Sequence, residues 1–254
     1  MTNLPQGFEL ETHDRVGLLR INAGKANAMS PQFIASLIDA MAELKQDPPA
    51  SLVITGTGRA LSAGLALPMV IDLNRDDMRT FMQGFGRAME AVLTFPTPTV
   101  AAINGHAIAG GCVLAVMCDY RVMVDADARI GLNEGALGIG LPASVLEPLR
   151  VRVPARSLTP IALAAELFAP EDALALELVD DIVPAGELEA SALERAQALA
   201  FAPTASAQVK AALLRPLLHE LRTHEDAEME LWLDTWFSDD AKRLVAEAVA
   251  SLRR

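Results

Sequence analysis

The chain has 254 residues, of which 52% are hydrophobic and only 4% aromatic, and its formal net charge is -12 at pH 7. So much Ala, Leu, Val, Ile and Met fills helix and strand interiors and excludes a disordered chain. The acids are scattered over helix faces and form no block, which excludes a nucleic-acid footprint or a surface built for anionic membranes.

The first twenty residues place Glu9, Glu11, Asp14 and Arg15 among short apolar runs, so no signal-peptide core is expected. No later stretch is an uncharged apolar run of about eighteen residues, so no membrane span is expected. Cys112 and Cys118 lie six apart in an apparently helical segment and cannot meet each other. Reduced thiols and a cytoplasmic location are the expectation.

In chain order, "FELETHDRVGLLRIN" predicts two antiparallel strands joined at His13-Asp14. "SPQFIASLIDAMAELKQD" predicts a helix capped by Ser30 with Pro31 at its first position, because Phe33, Ile34, Leu37, Ile38, Met41 and Leu44 form one apolar stripe. "SLVITG" is a short buried strand. "DDMRTFMQGFGRAMEAVLTF" is a second long helix stopped by Pro96 and Pro98, and "TVAAIN" is another buried strand. A loop and an apolar helix follow in "NGHAIAGGCVLAVMCDY", then "YRVMVD" and "ARIGL" as strands.

This alternation of β and α fits either stacked ββα turns or a doubly wound sheet, and periodicity does not separate them. After about residue 142 only "LVDDIVP" carries a β signal. "ELEASALERAQALA", "TASAQVKAALLRPLL" and "HEDAEMELWLDTWF" predict three helices, and "DDAKRLVAEAVASL" after Ser238 a fourth. We expect one core over residues 1–200 and a dependent helical region over 201–254, packed on that core or on another subunit.

Three places join a strand end, glycines and a helix start: "TGTGRALSAGLALP", the Ala109-Gly110-Gly111 loop, and "IGLNEGALGIGLP". A helix start offers unpaired backbone N–H groups and the positive end of the dipole, which can hold an oxygen gaining negative charge. Two such N–H groups converging on one point would form an oxyanion hole, although a glycine pair there also serves tight packing or turn geometry. Glu134 is the one acid in a Gly-, Leu- and Ile-rich setting that raises a carboxyl pKa, and it is the best candidate base; a helix N-cap region or a surface turn is the competing reading. His106 has no acid near it in sequence and reads as structural or pocket-lining. No serine-hydrolase elbow, zinc-site or P-loop pattern is present, and no metal site is expected.

These segments, in this order, resemble the enoyl-CoA hydratase/isomerase (crotonase) family from "VGLLRINAGKANAMS" to the helical tail, with "NGHAIAGG" followed by "CDYR" the most specific part. The resemblance implies an α/β fold, a spiral of ββα turns with a C-terminal helical region that builds trimers, often paired into hexamers. It also implies an acyl-CoA thioester substrate, with coenzyme A as part of the substrate and no permanently bound cofactor. By motif alignment the oxyanion-hole N–H groups fall on Ala63 and Gly110, and Lys25, Ala26, Ser62, Leu65, Gly111, Val113 and Leu137 fall on substrate-binding positions. Lys25 and Arg59 lie near the segments that approach the CoA phosphates, but a charged surface residue is the default reading of each.

Family hydratases carry two glutamates; the later one is Glu134 here, whereas the earlier position holds Val113. A single carboxylate suits another reaction, in which one base moves a proton of a 3-enoyl-CoA from C2 to C4 through a dienolate, and an apolar residue at 113 would keep water out. "SAGL" and "IGLNEGALGI" are similar to the mitochondrial-type 3,2-enoyl-CoA isomerases, and "LPASVLEP" lacks the second Gly-Gly of hydratases. Ala66 departs from the acid many relatives carry, which bears on CoA placement. The expected activity is enoyl-CoA isomerisation. The alternatives are weak hydration or thioester hydrolysis on the same fold, or a non-catalytic acyl-CoA-binding scaffold.

Overall fold

The computed structural model describes residues 4–252. A hairpin opens the chain: β1 (Phe8–His13) pairs antiparallel with β2 (Val16–Ile21), from Phe8 opposite Ile21 to His13 opposite Val16. The two residues between them are Asp14 and Arg15, one position later than the sequence predicts. Asp14 takes φ 54° there, a conformation Asp tolerates better than most residues. Helix α1 (Pro31–Leu44) begins as predicted, with Ser30 Oγ accepting the Phe33 N–H at 3.1 Å.

From here each turn of chain supplies one strand to each of two sheets. β3 (Ser51–Gly56) and β4 (Ala60–Ser62) are followed by α2 (Leu67–Val70) and α3 (Arg75–Leu93), the latter capped by Asn74 Oδ1. β5 (Thr99–Ile103) and β6 (His106–Ile108) are followed by α4 (Gly110–Met117). β7 (Tyr120–Asp125) and β8 (Ile130–Gly131) lead through a 3-10 turn at Glu134–Leu137 to α5 (Ala143–Arg152), α6 (Ala155–Leu158) and α7 (Pro170–Ala175). β9 (Asp181–Pro184) closes the larger sheet, whose order is β1-β2-β3-β5-β7-β9, while β4-β6-β8 form the smaller. Past the hairpin every pairing between these strands is parallel and the order never reverses, so the chain spirals and the doubly wound alternative is set aside.

Every residue of β3 and β5 is buried, because α8 (Leu188–Leu199) covers one face of the sheet and the smaller sheet packs through β4 on the other. All eight residues of α4 are buried as well, which is why that helix carries no charge. Its glycine pair has a steric cause. A Cβ on Gly111 would lie 2.1 Å from the Ser62 carbonyl oxygen, and one on Gly110 would lie 2.9 Å from Met29 Sδ.

The helical tail differs from the expectation in one respect. "TASAQVKAALLRPLL" and "HEDAEMELWLDTWF" belong to one 34-residue helix, α9 (Pro203–Trp236), with Pro216 inside it, followed by α10 (Asp239–Leu252). No glycine separates the two segments, and the buried Leu214, Leu217 and Leu221 hold the helix to the core across the hydrogen bond that proline cannot donate. Lys210 on α9 pairs with Asp119 at 2.6 Å, and Asp119 also binds Arg152 at 2.9 Å and accepts the Thr99 N–H. Burial alone would raise the Asp119 carboxyl pKa, but Lys210 and Arg152 outweigh it and hold that pKa below the usual value. Cys112 and Cys118 are both buried free thiols. No helix among the described residues is long and apolar enough to cross a membrane.

Candidate active site

The loop after β4 is stapled along nearly its whole length to residues 26–29. Ala63 N–H donates to Ala26 O at 2.9 Å, Met29 N–H to Gly64 O at 2.8 Å, and Ala66 N–H to Met29 O at 3.0 Å. Ser62 Oγ donates to Asn27 O at 2.8 Å and accepts the Gly64 N–H at 3.1 Å. Leu65 N–H is left with no hydrogen-bond partner among the described residues.

This corrects the sequence reading of Ala63 as an oxyanion-hole donor. Its N–H is committed to Ala26, and the free donor on the loop is two residues later, at Leu65. The N–H of Gly110, the other candidate donor, is unengaged among the described residues. Gly110 opens α4, where no preceding helical turn accepts its N–H, and it has no acceptor among the described residues.

The two donors lie side by side because the two loops touch. Gly64 sits at φ 82°, and a Cβ there would meet Ala109 Cβ at 2.9 Å and Gly110 N at 3.1 Å. Ala109 is held at φ 52°, ψ -119°, with its N–H donated to Gly131 O at 2.8 Å. A non-glycine residue in that region is strained, and here the strain turns the chain so that α4 starts facing Gly64.

Glu134 begins the 3-10 turn that follows β8. Its Oε2 is buried without a hydrogen-bond partner among the described residues. Burial pushes the carboxyl pKa up to about 7, slightly opposed by the residue's own backbone N–H. The competing reading of Glu134 as a plain surface turn does not describe this side chain.

A cavity of about 110 Å³ joins these groups. Among the described residues Glu134 is the one carboxylate on its wall. Ala63, Leu65, Gly110 and Leu137 line it as well, so five of the sequence candidates meet there. Lys25, Ala26, Ser62, Gly111 and Val113 do not line it. Lys25 is exposed, Ala26 and Ser62 brace the Leu65 loop, Gly111 admits the Ser62 carbonyl, and Val113 is 2% exposed in the core. Val113 therefore leaves the cavity without a second acid but does not itself wall off water. His106 is structural, its Nδ1 accepting the Arg129 N–H at 3.2 Å.

The α9 part of the remaining wall was not singled out in the sequence. α3 contributes Met82 and Phe85, and α9 contributes Trp232 and Trp236, more than a hundred residues from the glycine loops. The apolar stripe of α3 and the "ELWLDTW" run mark buried faces, but no local signal says that those faces meet Glu134.

A family model described as enoyl-CoA hydratase/isomerase matches residues 11–250 of this chain. The chain is 37% identical over 199 residues to a putative enoyl-CoA hydratase of Thermus thermophilus, covering 76% of each protein. It is 28% identical over 219 residues to the mitochondrial enoyl-CoA delta isomerase 1 of Homo sapiens, covering 85% of this chain and 72% of that protein. The crystal structure of human mitochondrial delta3-delta2-enoyl-CoA isomerase matches with a TM-score of 0.91 at 25% identity, covering 98% of both chains.

Proposed function

The chain belongs to the enoyl-CoA hydratase/isomerase family, and from that premise we propose that it moves the double bond of a 3-enoyl-CoA to C2. The observation that carries the reading is Glu134 as the one carboxylate on the cavity wall among the described residues, with a buried Oε2 that finds no partner among them. In the proposed reaction the thioester oxygen accepts the N–H groups of Leu65 and Gly110. Glu134 takes a proton from C2, the electron pair spreads over the dienolate and its oxygen, and the same carboxyl returns the proton at C4. Hydrogen bonds to the developing oxyanion strengthen as its charge grows, which lowers the barrier to proton removal. The apolar wall keeps water from competing for the dienolate.

This reading calls for no resident cofactor or metal, since coenzyme A arrives with the substrate. A trimer or a pair of trimers is part of the same proposal, and light scattering of the eluting protein measures it. Purified protein given 3-hexenoyl-CoA should raise conjugated-enoyl absorbance, and Glu134→Gln should abolish the rise. No turnover at any chain length would overturn the isomerase reading. The second reading, hydration of a 2-enoyl-CoA, is favoured by the 37% identical relative named as a hydratase, and 3-hydroxyacyl-CoA formed from crotonyl-CoA would select it.

A further inference from the structure

We propose that the stacked Trp232–Trp236 pair ends the acyl pocket and restricts the site to short acyl chains, with a limit near six carbons. The proposal rests on the acyl-CoA reading above and adds the substrate class to it. With the thioester oxygen at Leu65 and Gly110 and the first carbons beside Glu134, the rest of an acyl chain must run along the apolar wall toward α9. There it meets two indoles one helical turn apart, with ring centroids 5.5 Å apart and planes 24° from parallel. They are 4% and 5% exposed.

The wall is fixed as well as large. Between the two tryptophans, Thr235 Oγ1 accepts the Gly140 N–H at 2.9 Å, tying α9 to the loop that carries Glu134. On the far side of the helix, Arg75 of α3 pairs with Asp234 at 2.7 Å and with Glu230 at 3.1 Å. Swinging an indole aside therefore means moving α9 or breaking the stack.

The space agrees with the wall. The cavity holds about 110 Å³, the same order as the roughly 150 Å³ of an apolar cavity that takes one six-carbon ring. Each methylene that enters an apolar pocket strengthens binding by about fourfold. Methylenes beyond the indoles gain nothing, because they stay in water or press on a packed wall.

The test uses saturated butanoyl-, hexanoyl-, octanoyl- and decanoyl-CoA, which have no double bond to move, so binding is read apart from turnover. The chain's two tryptophans are both in the wall, which makes intrinsic emission a direct probe. The expected result is a rise in affinity of about fourfold per methylene to hexanoyl-CoA that stops by octanoyl-CoA. Emission should change with hexanoyl-CoA but not with CoA alone, and Trp236→Ala should carry the rise on to decanoyl-CoA. An affinity that keeps climbing through decanoyl-CoA in the wild-type protein, or emission unmoved by hexanoyl-CoA, would overturn the proposal whether or not the variant folds. Such a climb would leave the acyl-CoA reading intact, whereas folded protein that binds none of the four would sink that reading and this limit together.

Discussion

Thr235 on α9 accepts a hydrogen bond from the backbone N–H of Gly140, 2.9 Å away on the loop that carries Glu134, and donates its own proton to Trp232 O at 2.7 Å. One hydroxyl thus joins the proposed base loop to the aromatic wall. A second contact supports the clamp: a Cβ on Gly138, which sits at φ 71°, would lie 3.1 Å from Ala241 N of α10.

Thr235→Val keeps the shape and removes both bonds. The Gly140 N–H loses its partner, at a cost of roughly 1–3 kcal/mol in thermal or urea unfolding. If the bond also places Glu134, kcat for 3-hexenoyl-CoA drops about tenfold with KM little changed, because a misplaced base slows proton transfer more than it weakens binding. Thr235→Ser should restore both. A loss of stability with kcat intact would make the bond purely structural.

Glu134 links pH to stability and to rate in opposite directions. Its carboxyl pKa is raised from 4.5 to about 7 in the folded chain. The protonated form is therefore favoured by folding. That stability is fully present below about pH 4.5 and is lost as pH rises through about 7, a swing of roughly 3 kcal/mol. Only the ionised form takes a proton, so kcat/KM should climb over the same window and level off above about pH 7. Glu134→Gln should be more stable than wild type at pH 8, by about 3 kcal/mol, and equal to it at pH 4.5. Unfolding curves at the two pH values measure this, and a pH-independent difference would show that burial does not perturb the carboxyl.

Gly64 tests the convergence of the two donors. An alanine there would be strained at φ 82° and would drive its Cβ to 2.9 Å from both Ala109 Cβ and Ile108 O. The loops must part, and the proposed convergence of the Leu65 and Gly110 N–H groups is lost. Gly64→Ala should lower kcat/KM about 100- to 1,000-fold, the usual effect of losing one oxyanion donor. Circular dichroism should still report a folded protein, and near-normal turnover in this variant would remove Leu65 from the proposed hole.

What the sequence disclosed follows the range of the forces involved. Ser30 and Pro31 announce α1 because capping acts over three residues, and the Val- and Ile-rich strands announce themselves by burial on both faces. Glu134 was legible because its neighbours in sequence are also its apolar neighbours in space. The free N–H of Leu65 was not, because which N–H on the "SAG" turn stays free depends on the bond from Ala63 to Ala26, 37 residues earlier. The wall from α9 was equally hidden, since a helix pattern gives the buried face and not its partner. Pro216 shows the converse, a local breaker overridden by buried leucines on either side.

The Asp119–Lys210 pair fixes α9, and with it the wall, from a distance. The Lys210 ammonium meets Asp119 at 2.6 Å and Thr97 O at 3.4 Å, while Asp119 also holds Arg152 and the start of β5. The side chains of Lys210 and Asp119 are only 11% and 22% exposed. Removing one partner leaves a buried charge incompletely paired, so Lys210→Met should cost about 3 kcal/mol, and adding Asp119→Asn should return part of it. Asp119 has a lowered pKa, so its contribution is present above about pH 4 and is lost as pH falls through the folded value. Wild type should therefore lose stability on acidification more steeply than the double variant. At temperatures where both are folded, chain-length preference should be unchanged if the pair only anchors the helix, and a shift toward longer acyl chains would mean that the anchor also sets the position of the indoles.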